Sequence, residues 1–282
     1  MLIRMQTIVF FHAHPDDECI VTGGTIAKAA EEGHRVVLVV ATNGDHGDVP
    51  EDLAHDETLI ARRRQETEQS AALLGVQHVL WLGYADSGMT GWDQNDHPEC
   101  FWQADIEDAA GRLTKLLVAE SADALVVYDW HGVYGHPDHV QVHRVGIRAA
   151  QIAGTPRVLE ATMNRTQMIE YAEKLGMDDF DPAGPADDGN PFGTLEEELH
   201  WGVDVSAYLG RKRDALACHA SQVSDAGEML KMPDEVFALA FGMEWYREPG
   251  RDADLELAWP FADERPRPAG GGLGLGARNE RR

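Results

Sequence analysis

Apolar residues fall along this chain in two alternating patterns. Short unbroken runs of strand length, rich in β-branched residues, occupy residues 7–11, 36–42, 79–82 and 124–128. Between them lie longer segments, such as 24–32 and 59–74, in which apolar residues recur at three- and four-residue spacing until Gly33 or Gly75 closes the segment. Runs without polar alternation predict strands buried on both faces, and strands that alternate with helices predict a parallel sheet. The expected fold is therefore α/β, a Rossmann-like, mostly parallel sheet flanked by helices. Beyond residue 155 the pattern weakens to a strand at 158–163, helices at 167–175 and 206–219, and an apolar stretch at 237–245. We read this part as a smaller C-terminal α+β extension, and residues 178–193, rich in Asp, Gly and Pro, as a long surface loop or lid. One α/β domain is expected over residues 1–262, with its core at 6–160 and its extension at 161–262; residues 263–282, rich in Gly, Pro and Arg, read as a flexible tail.

Composition narrows the partners. Acidic residues outnumber basic ones by 49 to 24, for a formal charge of −25, which disfavours nucleic acid and anionic lipid surfaces. The three cysteines, Cys19, Cys100 and Cys218, lie far apart and form no C-x-x-C pair. Neither a disulfide framework nor a thiolate zinc knot is indicated, and a cytoplasmic location follows. The first apolar run is too short for a signal or membrane segment, so no integral membrane segment is expected.

In sheets of this kind ligands gather at the carboxyl ends of the strands. Two segments there carry chemistry. His14-Pro15-Asp16-Asp17-Glu18 follows the first strand, and three adjacent carboxylates at a buried strand end are costly unless a cation offsets them. Histidine with carboxylate is a ligand set suited to zinc. Pro15 shapes the turn so that His14 and Asp17 point to one centre with Asp16 beside it. The competing reading is an acidic turn that merely caps a helix. Tyr134-Gly135-His136-Pro137-Asp138-His139 follows the fourth strand, and one of its histidines supplies the third ligand that a catalytic zinc needs.

Taken together, the two motifs resemble the PIG-L (LmbE-like) family of zinc N-deacetylases, whose members include the deacetylases and amidases of mycothiol metabolism. The resemblance covers residues 6–160 and continues in patches at His219-Ala220-Ser221-Gln222 and Gly242-Met243-Glu244. It implies one Zn2+ per chain, with Fe2+ as the alternative metal, held by His14, Asp17 and His139. It further implies Asp16 as the general base, Tyr134 at the oxyanion, and His136, held by Asp138, near the developing charge. Arg63, Asp48 and Asp86 match sugar-contacting positions, with Arg64 as an alternative to Arg63.

Other readings of these residues remain at this point. Arg62, Arg63 and Arg64 also read as a solvated helix face paired with Glu66 and Glu68. Asp86 also reads as a residue holding the turn before Gly88. Trp81, Trp92 and Trp102 read as core aromatics or as a sugar platform, and Cys19 as a small packed residue. The implied activity is hydrolysis of the N-acetyl group of an N-acetylglucosamine-type sugar conjugate, a small-molecule partner; oligomeric state is left open. The alternatives are an amidase for a larger amide, such as a mycothiol S-conjugate, and a non-enzymatic nucleotide- or carbohydrate-binding module. Gly23-Gly24 lacks the G-x-G-x-x-G spacing of a dinucleotide site, and H-E-x-x-H, G-x-S-x-G and P-loop signatures are missing.

Overall fold

The computed structural model describes residues 5–177, 180–224, 226–252 and 254–262, so the tail expected at 263–282 and the start of the loop expected at 178–193 lie outside the described residues. The sequence-predicted alternation is present as β1 (Thr7–His12), α1 (Asp17–Val21), α2 (Gly23–Glu31), β2 (Arg35–Thr42), α3 (Leu59–Leu74), β3 (His78–Tyr84), α4 (Ile106–Glu120) and β4 (Ala124–Tyr128). It continues through a kinked turn, α5 (Gly132–Gly135), into α6 (Pro137–Ala153), β5 (Arg157–Thr162) and α7 (Arg165–Leu175). Local chemistry explains the boundaries. The Thr58 side chain accepts the Ala61 amide to open α3, and Gly75 closes it at φ 88°, a conformation that costs glycine nothing.

Seven strands form one sheet in the order β3-β2-β1-β4-β5-β7-β6. The first five pair in parallel. β6 (Trp201–Asp204) and β7 (Met243–Arg247) extend it antiparallel beyond β5. Side chains alternate along each strand. Ile8, Phe10, Leu38 and Val40 enter one core with α2 and α8 (Leu209–Ala217), while Val9, Phe11, Val37 and Val39 enter another with α4 and α6. Helices cover both faces, which is why the strands read as unbroken apolar runs.

Two sequence expectations change here. The apolar stretch 237–245 divides into α10 (Asp234–Phe241) and the start of β7, and short α9 (Ala226–Leu230) precedes it. β6 carried no strand signal, because four residues between loops offer too short a pattern. β7 also brings in Glu244, whose carboxylate accepts the Gly24 and Thr25 amides at 2.8 Å each and the Lys212 ammonium at 2.6 Å. In a dinucleotide-binding sheet those amides would face a pyrophosphate. Here an internal carboxylate occupies them, so the nucleotide-binding alternative loses its anion site. Among the described residues, no helix is long and apolar enough to cross a membrane.

Glu160, buried on β5, lies 3.4 Å from Arg247, yet burial outweighs that pairing and pushes its carboxyl from 4.5 up to about 7. Between those values the folded chain binds a proton that the unfolded chain has lost, so this group costs stability as pH rises through 7. Glu160→Gln should therefore gain on the wild type by up to about 3 kcal/mol between pH 4.5 and pH 8.5. Denaturant unfolding at both pH values checks this, and a pH-independent difference would refute it.

Candidate active site

The His14-Pro15-Asp16-Asp17-Glu18 turn leaves β1 at its carboxyl end. Asp16 holds φ 104°, a left-handed conformation that is strained for a residue with a Cβ. That backbone reversal sends the three carboxylates in three directions. Asp16 Oδ2 meets Arg63 Nη2 at 3.1 Å. Asp17 accepts the His14 amide at 2.8 Å and places its other oxygen 3.4 Å from His139 Nε2. Glu18 turns inward, accepting from Ser70 at 2.5 Å and from His219 Nε2 at 2.8 Å. The Asp16 side chain, at the N-cap of α1, makes no capping bond, and Glu18 accepts the Asp16 amide at 3.0 Å as well as its inward partners. The cation that answers Glu18 is His219, from a patch of sequence about two hundred residues away.

The second motif reaches the same place from β4. Gly132 and Val133, at φ 68° and 71°, reverse the chain and start α6 at Pro137. A Cβ at Gly132 would collide with His139, so the glycine permits the close approach. Tyr128 stacks against His139 at 4.3 Å and 10°, fixing the plane of the ring. His139 Nε2 is buried without a hydrogen-bond partner, while the Gly132 backbone acts on the ring as an acceptor. His14 Nδ1 lies 3.4 Å from Asp17 Oδ2, and His139 Nε2 lies 3.4 Å from Asp17 Oδ1. Two donors about 2.0–2.1 Å from one tetrahedral ion sit about 3.3–3.4 Å apart, so each histidine and the carboxylate oxygen it faces are spaced as two ligands of a divalent metal. His136 also brings a ring nitrogen within 4.8 Å of those of His14 and His139.

The hold of Asp138 on His136 runs through its backbone rather than its side chain. Its backbone amide donates to His136 Nδ1 at 3.1 Å, whereas its carboxylate accepts from Ser87 and faces His14 Nε2 at 3.1 Å. The reason is positional: in the first turn of α6 the amide points back at the capping residue, and the side chain is free to reach a distant segment. Asp138 thus orients the His14 ring.

Electrostatics follow from burial and neighbours. Burial depresses the His14 imidazole, but Asp86, Asp138 and Asp17 outweigh it and hold the group well above its usual value. A proton and a divalent cation answer the same surplus of negative charge there. Burial would raise Asp17, yet His139 and His14 hold it well below the carboxylate range. Burial drives Asp16 up to about 7 against the pull of Arg63, and depresses His136 to about 3 and His139 to about 4.

A cavity of about 460 Å³ gathers His14, Asp16, Asp17, Tyr134, His136 and His139 on its walls, with Asp48, Arg63 and Asp86 also lining it. Arg63 is buried and engaged, donating to the Gly44 and Pro15 carbonyls at 2.8 and 2.6 Å as well as to Asp16. Arg64 instead covers the Trp81 ring at 5.0 Å, and Arg62 pairs with Glu57 and Asp52, so the three arginines do not share one solvated face. Glu66 is not their partner; it accepts the Ser221 amide and hydroxyl at 2.9 and 2.6 Å. Asp48 accepts from Ser224, and Asp86 both holds the Gly88 amide at 2.8 Å and lies 3.6 Å from His14. Cys19 is buried against Glu18 and Ser70. Of the three tryptophans only Trp92 lines the cavity.

The segment expected to be a surface loop or lid is held down over its described part. Asp187 and Gly193 donate to the Tyr134 and Val133 carbonyls at 2.9 and 2.6 Å, and Phe192 stacks on Tyr134 at 5.9 Å. Phe192, Ser224 and Met229 also line the cavity without a sequence signal of their own, together with Gln222 from the 219–222 patch. That patch was the single sequence signal for this region.

A family model described as GlcNAc-PI de-N-acetylase (PIG-L) matches residues 9–150. The 1D-myo-inositol 2-acetamido-2-deoxy-alpha-D-glucopyranoside deacetylase of Thermobifida fusca is 40% identical over 281 residues, covering 89% of this chain and 98% of that protein. The chain belongs to the PIG-L family. Membership makes it an enzyme of the amide-hydrolysing class, as the motifs led us to expect. Among solved structures, the N,N'-diacetylchitobiose deacetylase of Pyrococcus horikoshii superimposes with a TM-score of 0.57 at 24% identity, over 86% of this chain and 83% of that one. GalB, the 4-carboxy-2-hydroxymuconate hydratase of Pseudomonas putida, reaches 0.57 at 18% identity, over 90% and 100%. The PIG-L fold thus resembles that of a hydratase as closely as that of a deacetylase, and the reaction has to be argued from the site.

Proposed function

We propose that this PIG-L protein is a cytoplasmic zinc-dependent deacetylase that hydrolyses the N-acetyl group of an N-acetylglucosamine-type sugar conjugate, releasing acetate and the free amine. The observation that carries the reading is His139, whose buried Nε2 has no hydrogen-bond partner beside Asp17 and within the cavity that holds Asp16. His14, Asp17 and His139 would hold the ion. Bound there, zinc supplies Lewis acidity toward water and the amide carbonyl.

The chain's own groups supply the remaining chemistry. Asp16, the base, takes the proton of the attacking water from its place on the cavity wall, where Arg63 Nη2 holds its carboxylate at 3.1 Å. Tyr134 donates its hydroxyl to the developing oxyanion. His136 is kept neutral, and its Nδ1 accepts the Asp138 amide, so its ring proton sits on Nε2. That tautomer makes Nε2 a hydrogen-bond donor toward the same charge, and the proton that Asp16 takes from the water passes on to the departing amine. The 40% identity to a deacetylase of an N-acetylglucosaminyl-inositol supports that glycoside as the first substrate to assay.

Chelation should abolish acetate release from this glycoside, and Zn2+ should restore it. Metal analysis of Asp17→Ala and His139→Ala should give little bound zinc. Full zinc in both variants would remove the ligand assignment, and acetate release that survives chelation would remove the metal mechanism.

A further inference from the structure

Most tryptophans in this chain have a ring face covered by a cation: Arg64 over Trp81, Arg144 over Trp102, Arg157 and Arg251 over Trp201, and Lys28 over Trp259. Among the described residues no cation covers Trp92, which is 48% exposed and lines the active-site cavity. The ligating and acid-base groups of that cavity are nearly buried, which puts Trp92 at its mouth. Trp130 is also exposed, but it packs on His131 and lies outside the cavity.

The indole is held rather than loose. A Cβ at Gly88 would stand 2.8 Å from Trp92 Cε3, so the ring rests directly on a bare stretch of backbone. Asn95 ties the loop together, donating to the Ser87 and Met89 carbonyls at 2.7 and 3.1 Å and accepting the Gly91 amide at 2.8 Å. Ser87 in turn bonds to Asp138, the residue that orients His14. The backbone that carries this aromatic surface is therefore tied through Ser87 and Asp138 to the reacting centre, and one side of the ring is set by Gly88. The charged groups nearby are carboxylates, Asp48 and Asp86 among them, and Arg63 is already engaged. An anionic group is disfavoured at this mouth, whereas an uncharged polyhydroxylated ring can lay its C–H face on the indole and turn its hydroxyls to the carboxylates.

We propose that Trp92 is a specificity-determining platform for the second ring of the substrate, so that the enzyme selects N-acetylglucosaminides whose aglycone is itself an uncharged polyol ring, a cyclitol or a pyranose. This rests on the deacetylase reading above, with the acetamido group at the metal ligands and the aglycone toward the mouth.

The test compares three probes, the inositol glycoside, N,N'-diacetylchitobiose and methyl N-acetylglucosaminide, on wild type, Trp92→Ala and Trp92→Phe. Binding is measured by calorimetry on the metal-free proteins, and kcat and KM on the zinc-loaded ones. Trp92→Ala should weaken binding and raise KM by about tenfold for at least one ring-bearing probe, leave the methyl glycoside unchanged, and alter kcat little. Trp92→Phe should recover most of the loss. Equal effects on all three probes, no effect on any, or a wild type without preference for a second ring would overturn the proposal. Absent acetate release from the wild type would instead count against the deacetylase reading, and the binding ratios would still decide the role of Trp92.

Discussion

Asp16→Asn is expected to lower kcat by about 10²–10⁴-fold while leaving bound zinc at the wild-type level. The substitution removes the proton acceptor and little else. Asp16 sits at φ 104°, where alanine would be strained, but asparagine tolerates left-handed conformations better than most residues. The amide oxygen can keep the contact now made by Arg63 Nη2 at 3.1 Å. The Glu18 carboxylate also continues to hold the Asp16 amide at 3.0 Å, so Asp17 and His14 keep their positions. Turnover is read by acetate release and metal by elemental analysis on the same sample. A variant that loses both would mean that Asp16 belongs to the ligand set, and one that keeps both would mean that another group is the base.

Lys212→Met is expected to cost about 3–5 kcal/mol of folding stability. Lys212 and Glu244 are each 2% exposed and meet at 2.6 Å. Removing the ammonium leaves a buried carboxylate whose remaining donors, the Gly24 and Thr25 amides and the more distant Tyr246 hydroxyl, carry no full charge. Methionine keeps an unbranched stem in place, while the ammonium's position 5.2 Å over the Phe241 ring is lost together with the ion pair. Urea unfolding gives the value, with Lys231→Met as control, because its partner Glu228 is exposed and lies on the same helix turn. Equal midpoints for the two variants would show that the buried pair is energetically idle.

Much of the parallel half of this protein was readable because its signals are local. An unbroken run such as residues 36–42 reports burial on both faces, and Gly75 reports the end of a helix within one residue. β6 and β7 were not readable in the same way, since short antiparallel edge strands are defined by what they pair with. At the site, His14, Asp16 and Asp17 announce themselves as three polar residues after a hydrophobic strand. His219 and Ser221 do not, because nothing in their own neighbourhood shows that they brace Glu18 and Glu66 across the fold.

The amino-acid sequence by itself determined the fold class, the two His-Pro-Asp segments at strand ends and the family they belong to, because each rests on spacing within a short window. Tertiary structure decided how the charges are distributed. It sends Asp16 to Arg63, Asp17 to His14 and His139, and Glu18 to His219, and it turns Asp138 away from His136 toward His14. It also separates Trp92 from Trp81 and Trp102 by leaving its face open at the cavity. Carboxylate partners and ring faces are settled by which distant segments the sheet brings within a few ångströms, and no periodicity along the chain encodes that distance.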